Sequence, residues 1–387
     1  MTATVTVRTT VLEVRINGVL DAVAYAASCS FGFDQRVAEA TVRRTGGGSI
    51  AVAYWDPIEI RMGTTPGGGA AVRFVGYVVP VDNQLFPIEG TLTCKGRLFR
   101  AQWVRNQVAG GTRMAPAGTG RTDQLQVGDI LTACGVPYLA ANIGGTGKPL
   151  GSQFIAWDDV LTPGPFTWTQ GEPGLAYVER LDEVSVPDDA SGRYRTFETL
   201  GGDIFRVPMA TAPKTTPDFS FTEGVDVLEA RITRDPAGAA NRVTVDGAPL
   251  PITAVVPGVV TVKRYVASST SAPYLPPGLP TEPDGHAYVG TTFTSPMIEK
   301  QATADSGSTI SCQAVATFLL AEYNCVLDTL EFSTPRDDLL GPGQTIHLHS
   351  PRLGITDAAQ HYWLQRLEIT TDESGAFTQR LTCLRKS

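Results

Sequence analysis

Short apolar runs that alternate with polar positions at period two dominate both ends of the chain, a pattern that predicts half-buried strands. Val11-Leu12-Glu13-Val14-Arg15-Ile16 leads into Asn17-Gly18, a dipeptide suited to the left-handed turn of a tight hairpin. Phe31 and Phe33 share one face, as do Ala38, Ala40 and Val42 after the polar turn Asp34-Gln35-Arg36. Ile58-Glu59-Ile60, Val72–Val79 and Gly90–Cys94 follow, each bounded by turn residues. Residues 1–104 therefore read as an antiparallel sheet or small barrel.

The pattern changes over 105–122. The run RNQVAGGTRMAPAGTGRT is poor in apolar residues and carries Arg105, Arg113 and Arg121, which describes a solvated or partner-ordered loop. Val127–Cys134 predicts a short helix that Gly135 and Pro137 can end. A second helix starts at Glu172-Pro173 and runs through Leu175, Val178, Leu181 and Asp182 at helical spacing. Tyr194–Val207 reads as a hairpin around Gly201-Gly202. Residues 105–224 are thus expected to form an α+β domain.

Strand patterning resumes near Val225, with Leu228–Thr233 and Arg242–Val245 on either side of a turn rich in Asp, Pro, Gly and Asn. A Pro-rich loop lies within 266–286 and excludes a central strand there. Thr309–Tyr323 has the broadest apolar stripe of any predicted helix, built from Ile310, Val315, Phe318, Leu319 and Ala321. Strands return at Val326–Phe332 and continue to the C-terminal end.

The C-terminal strands echo the N-terminal ones. Leu92-Thr93-Cys94 recurs as Leu381-Thr382-Cys383, an offset of 289, and the same offset sets Phe74 on Trp363, Val75 on Leu364 and Val78 on Leu367. Asp56-Pro57-Ile58-Glu59-Ile60 matches Gln344-Thr345-Ile346-His347-Leu348 after one residue of slippage. Repetition decides architecture. The expected fold is mainly β with an α+β insertion: two similar small antiparallel β-barrels plus mixed α/β domains. The first barrel spans 1–104 and the second combines 225–265 with 326–387, with a loop–helix insertion at 266–325.

The 387 residues suffice for several domains. Hydrophobic residues make up 42% of them and charged residues 18%, enough for real cores. The formal net charge of −8, with no basic run, argues against direct binding of duplex nucleic acid. Six cysteines, at 29, 94, 134, 312, 325 and 383, form no CxxC pair. Buried free thiols are expected, as in a protein that folds in a reducing cytoplasm. The N-terminal MTATVTVRTT lacks the apolar core of a signal peptide. The longest near-continuous apolar run, around Ala254–Val262, is about half a membrane span, so no transmembrane segment is expected.

Several stretches then resemble a known family. SFGFDQRVAEATVRR, WDPIEIRMG, AVRFVGYV and GTLTCKGR look like the first barrel of bacteriophage baseplate and tail hub proteins, relatives of the hub portion of VgrG spikes. AVATFLLAEYN, DDLLGPGQTIHL and YWLQRLEITTDESGAFTQRLTCL are similar to the helix, the turn and the strands of that family's closing barrel. ANRVTVDG resembles the start of its second barrel. The resemblance implies a homotrimer whose six barrels form a ring at the virion tail tip, assembled in the host cytoplasm. Such a ring joins a six-fold tail tube or distal tail protein to a three-fold spike or fibre protein, beside the tape-measure protein. Some relatives carry a lysin or peptidase domain, for which this chain leaves no room after its last strands.

Candidate chemistry is sparse. Asn142–Pro149 (NIGGTGKP) misses the phosphate-loop pattern at both ends, where Gly and Ser or Thr would be required. His347 and His349 share a strand face and His361 follows after a turn, but nothing obvious completes a metal set. Asp188-Asp189 lacks the alternating oxygens of a calcium loop, and Asp226 with Glu229 would serve a glycosidase only at a suitable separation. No nucleophile–base arrangement is visible. No catalytic, cofactor-binding or metal-binding residues are expected, and no cofactor. The leading function is a non-enzymatic structural hub through which DNA passes without specific binding. Alternatives are a cell-wall hydrolase with a β-rich accessory region and a glycan-binding tail-fibre or adhesin module. In the hub reading the channel wall is acidic or neutral, and Arg105, Arg113 and Arg121 face away from it.

Overall fold

The computed structural model describes residues 9–45, 52–65, 71–79, 89–109, 111–113, 122–145, 167–184, 194–208, 213–235, 240, 242–249, 264–270, 299–303, 316–317, 319–320 and 327–386. β1 (Thr9–Ile16) turns through Asn17 and Gly18, both at positive φ (52° and 78°), into β2 (Val19–Leu20). This is the predicted hairpin. β3 (Ala24–Gly32), β4 (Glu39–Thr45), β5 (Pro57–Thr65), β6 (Ala71–Val79) and β7 (Glu89–Gly96) follow. Burial along β4 alternates strictly, with Ala40, Val42 and Arg44 inward. Arg44 tolerates that face because its guanidinium bonds Asp21 twice, at 2.6 and 3.1 Å.

The α+β unit comprises α1 (Phe99–Trp103), β8 (Thr112–Arg113), α2 (Asp123–Ala133), β9 (Thr167–Trp168), α3 (Gly174–Val184), β10 (Tyr194–Glu198) and β11 (Ile204–Pro208). α2 begins four residues before the predicted start, because the Thr122 side chain caps it by accepting from the Leu125 amide. Gly135, at φ 66°, follows its C-cap as predicted. α3 lies against α2 so closely that a Cβ on Gly174 would fall 2.4 Å from Cys134 Sγ. Leu98, Ile130, Leu131, Tyr177, Val178 and Leu181 belong to the apolar core this packing creates. β10 and β11 pair antiparallel around Gly201 and Gly202, also as predicted.

The remaining strands are β12 (Phe219–Thr222), β13 (Glu229–Asp235), β14 (Arg242–Pro249), β15 (Arg264–Thr270), β16 (Glu299–Thr303), β17 (Leu327–Thr334), β18 (Thr345–His349), β19 (His361–Thr371) and β20 (Phe377–Lys386). β14, β15 and β16 make a separate three-stranded sheet. The segment at Arg242–Val245, expected in the second barrel, therefore pairs outside the large sheet. β12 starts before the expected boundary at 225 and already pairs with β18. Of the segment 266–286 that holds the Pro-rich loop, 266–270 belongs to β15 and 271–286 lies outside the described residues; of the helix at 309–323, residues 316, 317, 319 and 320 are helical.

Thirteen strands form one sheet, and its order exposes the repeat. In the first half it runs β1-β5-β6-β7-β4-β3, and in the second β12-β18-β19-β20-β17-β13. Each of these six strands has its counterpart in the other half, and the thirteenth, β2, stands outside the match. One difference is that β1 meets β5 antiparallel whereas β12 meets β18 parallel.

Register fixes the match between the halves and corrects one sequence alignment. Val78 pairs with Cys94 and Leu364 with Cys383, so β7 and β20 keep the offset of 289 (383 − 94). Trp55 N bonds Val78 O and Val78 N bonds Asp56 O; likewise Gly343 N bonds Leu364 O and Leu364 N bonds Gln344 O. β6 and β19 are thus related by 286 (364 − 78), and Trp363 is the counterpart of Tyr77, not Phe74. The second hairpin is three residues longer, with the register shift between Leu364 and Arg366 leaving Gln365 as the extra residue of a bulge.

The fold is mainly β with an α+β unit, as expected. Among the described residues neither half closes into a barrel. β3 instead pairs with β19 over six residue pairs, Ala27–Gly32 against Thr371–Arg366, which fuses both halves into one sheet. One apolar core runs under both, from Val14, Phe31 and Phe74 to Phe332, Leu367 and Cys383.

Candidate functional site

The seam between the repeats is held by backbone and by a buried ion pair. At Gly32 a Cβ would lie 2.6 Å from Gln365 O, so the backbones approach as closely as they do only without a side chain there. Arg73 on β6 is buried and pairs through Nη2 with Asp337, while its Nε and Nη1 donate to Met62 O (3.1 Å) and Asp338 O (3.2 Å). Asp337 also accepts from Thr64 N at 2.7 Å. Gln379 Nε2 donates to Arg336 O and Asp338 O at 2.7 and 2.9 Å. The DDLLGPGQ turn is therefore a strap from the second repeat across the first.

A second joint fixes the α+β unit to the first repeat. Glu198, at the end of β10, is fully buried and accepts from Ala38 N (2.9 Å) and Leu98 N (2.8 Å). Burial pushes its carboxyl up to about 7, although these amides and Arg97 pull the other way. Gly96 leaves it space, since a Cβ there would sit 2.0 Å from Oε2. Nearby, Arg206 is wholly buried and bonds Asp182 (2.9 Å), Asp123 (2.8 Å) and Gly144 O (2.7 Å). Asp182 accepts in addition from Arg36 and from Thr196 N and Oγ1. Each charge is compensated, which is what burial demands.

The residues singled out from sequence find structural places. Gly144 and Gly145 of the NIGG run pack where a Cβ would come within 2.7 Å of Arg206 O and of Asp123 Oδ1; 146–149 lie outside the described residues. Close packing explains these two glycines. His347 faces His361 across β18 and β19, ring centroids 5.7 Å apart, while His349 is exposed. Their Nδ1 atoms meet the carbonyls of Gln360 (3.2 Å) and Lys214 (2.9 Å). Among the described residues no three His, Cys, Asp or Glu side chains are placed to share an ion. Asp226 accepts from Thr222 N and Glu229 from Ser333 Oγ. Arg105 Nη1 donates to Gly171 O at 2.9 Å; Arg113 lies on β8, and Arg121, Asp188 and Asp189 fall outside the described residues.

Sequence reading missed a cluster of rings where the first repeat meets α1. Trp55 stands 5.3 Å from Tyr54, 5.4 Å from Tyr77, 5.6 Å from Phe99 and 6.2 Å from Trp103, centroid to centroid. Trp103 is 59% exposed and Tyr54 42%. Trp55 itself has φ 70°, a conformation in which a bulky L-residue is an outlier. The Tyr54-Trp55 pair and the four-residue spacing of Phe99 and Trp103 were the available signals.

No family model matches the chain, and no curated protein does. Solved structures do. The 43 kDa tail protein of prophage MuSo2 from Shewanella oneidensis is 11% identical, aligns over 97% of this chain and 98% of its own, and gives a TM-score of 0.62. The tail protein from Neisseria meningitidis MC58 is 11% identical over 97% of each chain, with a TM-score of 0.59. The chain has the fold of phage tail proteins. The resemblance drawn from its sequence motifs holds at the level of fold.

Within that fold the polar groups described above act as joints. Burial raises the thiols of Cys29 and Cys94 to about 12 and that of Cys134 to about 11, and Cys383 moves the same way. A thiolate nucleophile at neutral pH is thereby suppressed at these four sites. All four are free and buried, as expected; Cys312 and Cys325 lie outside the described residues.

Proposed function

We propose that the chain is a non-enzymatic structural component of a phage tail tip: a hub that trimerises into a ring between the tail tube and the tip. The observation that carries this is the pair of six-stranded repeats with one strand order, fused through β3 and β19. Three such chains present six similar units, the number needed to meet a six-fold tube, and closed symmetry is the ordinary outcome for a ring. The tail fold of the MuSo2 and Neisseria meningitidis structures supports the same reading. The partners are the tube or distal tail protein, the tape-measure protein, and a spike or fibre protein. DNA passes through the channel without specific binding, in keeping with a formal charge of −8 per chain.

A reconstruction of the assembled tail tests this. Three copies at one layer, with six repeats around the axis and acidic side chains outnumbering basic ones on the lumen, are expected. Six separate copies, or a lumen ringed by arginines, would remove the reading. Zymography of the purified protein on peptidoglycan is expected to show no clearing.

A further inference from the structure

One corner of the fold is built differently in the two repeats. The register makes Gly343 the counterpart of Trp55 and Trp363 the counterpart of Tyr77. In the second repeat this corner is covered. Trp363 is buried with Phe33 and Phe197, and a Cβ on Gly343 would already come within 3.2 Å of the Phe33 ring. Phe33 directly follows β3, the strand that the first repeat lends to the seam, and its amide donates to Gln365 O at 2.9 Å. The second repeat's corner is thus capped by Phe33 of the first repeat together with Phe197 of the β10–β11 hairpin.

In the first repeat the same corner holds rings that remain open. Tyr54 and Trp103 are exposed, and Trp55 is kept at φ 70° where the second repeat uses a glycine at φ 85°. Strain at such a position is retained where the side chain has work to do. Meanwhile β13, the counterpart of β3, is paired along one edge only among the described residues, to β17. Among the described residues the first repeat's corner is met by α1 but keeps exposed rings, and the second repeat's capping strand has one edge unpaired.

We infer that the aromatic corner around Trp55 is the socket for a second copy of this chain, whose second repeat seats there with β13 foremost. The seam inside one chain is the template for the seam between chains. This rests on the ring reading and adds the contact that closes the ring. The chemistry of the corner fits a protein partner. Trp55 meets Tyr54 and Tyr77 at 64° and Trp103 at 75°, so the rings spend their faces on one another and offer no aligned platform for a sugar. Arg100 lies over Tyr77 at 5.8 Å, and Asp56 is tied to Ala53 N at 2.6 Å. Trp, Tyr and Arg grouped with few other charges is the composition of an interface hot spot.

The test is sedimentation of the full chain over a wide concentration range, as wild type, as Tyr54→Ala with Trp103→Ala, and as Thr233→Pro on β13. Both changes at the corner remove exposed rings, so far-ultraviolet circular dichroism and the melting temperature should stay put. The expected result is a wild-type trimer, with association weakened on the order of 30-fold or more in each variant, the loss of a hot-spot side chain. A wild-type trimer that the ring variant matches in affinity overturns the socket and leaves the ring standing. A wild type that stays monomeric throughout overturns the ring, and the socket with it. Capture of a soluble cell-wall glycan by these rings, lost in the variant while trimers persist, also overturns the socket.

Discussion

The two repeats share a strand order but differ at their rims. The inner strands β6, β7 and β4 correspond to β19, β20 and β17 with the same pairing and with apolar residues facing one common core. The outermost strands diverge. β1 lies antiparallel on β5 over eight pairs, whereas β12 lies parallel on β18 over four. β3 is bonded on both edges and β13 on one among the described residues. Core positions are constrained by packing, which punishes change in any copy. A rim answers to whatever sits beside it, and the two rims of this chain have different neighbours.

The largest expected effect concerns the α+β unit, which β10 and Glu198 join to the first repeat. Arg206→Ala would take the shared guanidinium from two buried carboxylates, Asp123 and Asp182, leaving Asp182 with Arg36 as its remaining cation. We expect a loss of roughly 3–5 kcal/mol, read from denaturant unfolding. Hydrogen exchange should quicken first in α2, α3 and the β10–β11 hairpin. Uniform loss across both repeats would show that the unit is integral to the sheet body.

Arg73→Ala acts at the seam itself. Asp337 is less buried than Arg73, so water can compensate part of the change, and about 3 kcal/mol is expected. Amides of β3 and β19 should exchange faster than those of β6 and β7, because the strap over Thr64 and Arg73 is released. Equal protection at seam and core would break the comparison between them.

Much of this architecture was legible in the sequence. Asn17-Gly18, the alternation Ala38-Ala40-Val42, the stop at Gly135 and the glycine pair at 201–202 each enforce a local geometry that few other residues allow. Leu-Thr-Cys at 92–94 and 381–383 located the true counterparts β7 and β20. The β6–β19 alignment went astray by three residues because a bulge and a longer hairpin preserve alternation while shifting register. Fusion of the repeats into one sheet was not legible, since an edge hydrogen bond leaves no trace in side-chain pattern. The buried charges looked like ordinary surface residues. Asp182, Glu198 and Arg206 are marked only by partners distant in sequence, and the φ angle that sets Trp55 apart within its aromatic pair is not something composition can reveal.

Glu198 makes the joint to the first repeat sensitive to pH. Its folded value of about 7 lies above the ordinary 4.5. The folded state therefore holds a proton that the unfolded chain has released between those values. Its contribution is fully present below pH 4.5 and is lost as pH rises through 7, by at most about 3 kcal/mol. Glu198→Gln removes this titration. Stability measured from pH 4.5 to 8 should fall less steeply in the variant than in the wild type. Identical slopes would show that Glu198 keeps its charge throughout.

The smallest expected effect is also the sharpest test of the rim comparison. Trp55→Gly installs in the first repeat the residue that the second repeat has at the same turn. Relief of a left-handed backbone favours the variant by about 1–2 kcal/mol. Against it stand the lost ring contacts, about 0.5–1.5 kcal/mol, and the greater freedom of glycine in the unfolded chain, about 0.4–1 kcal/mol. These nearly cancel, so the isolated chain should change by no more than about 1 kcal/mol. Gly343→Ala has no such balance: it adds strain at φ 85° and brings a methyl within 3.2 Å of Phe33, and should destabilise by about 1–2 kcal/mol. Thermal melts of both variants under conditions that keep the chain monomeric give the comparison directly. If Trp55→Gly proved the more damaging of the two, Trp55 would be a core residue of its own repeat, and the corner would have no need of a second copy to cover it.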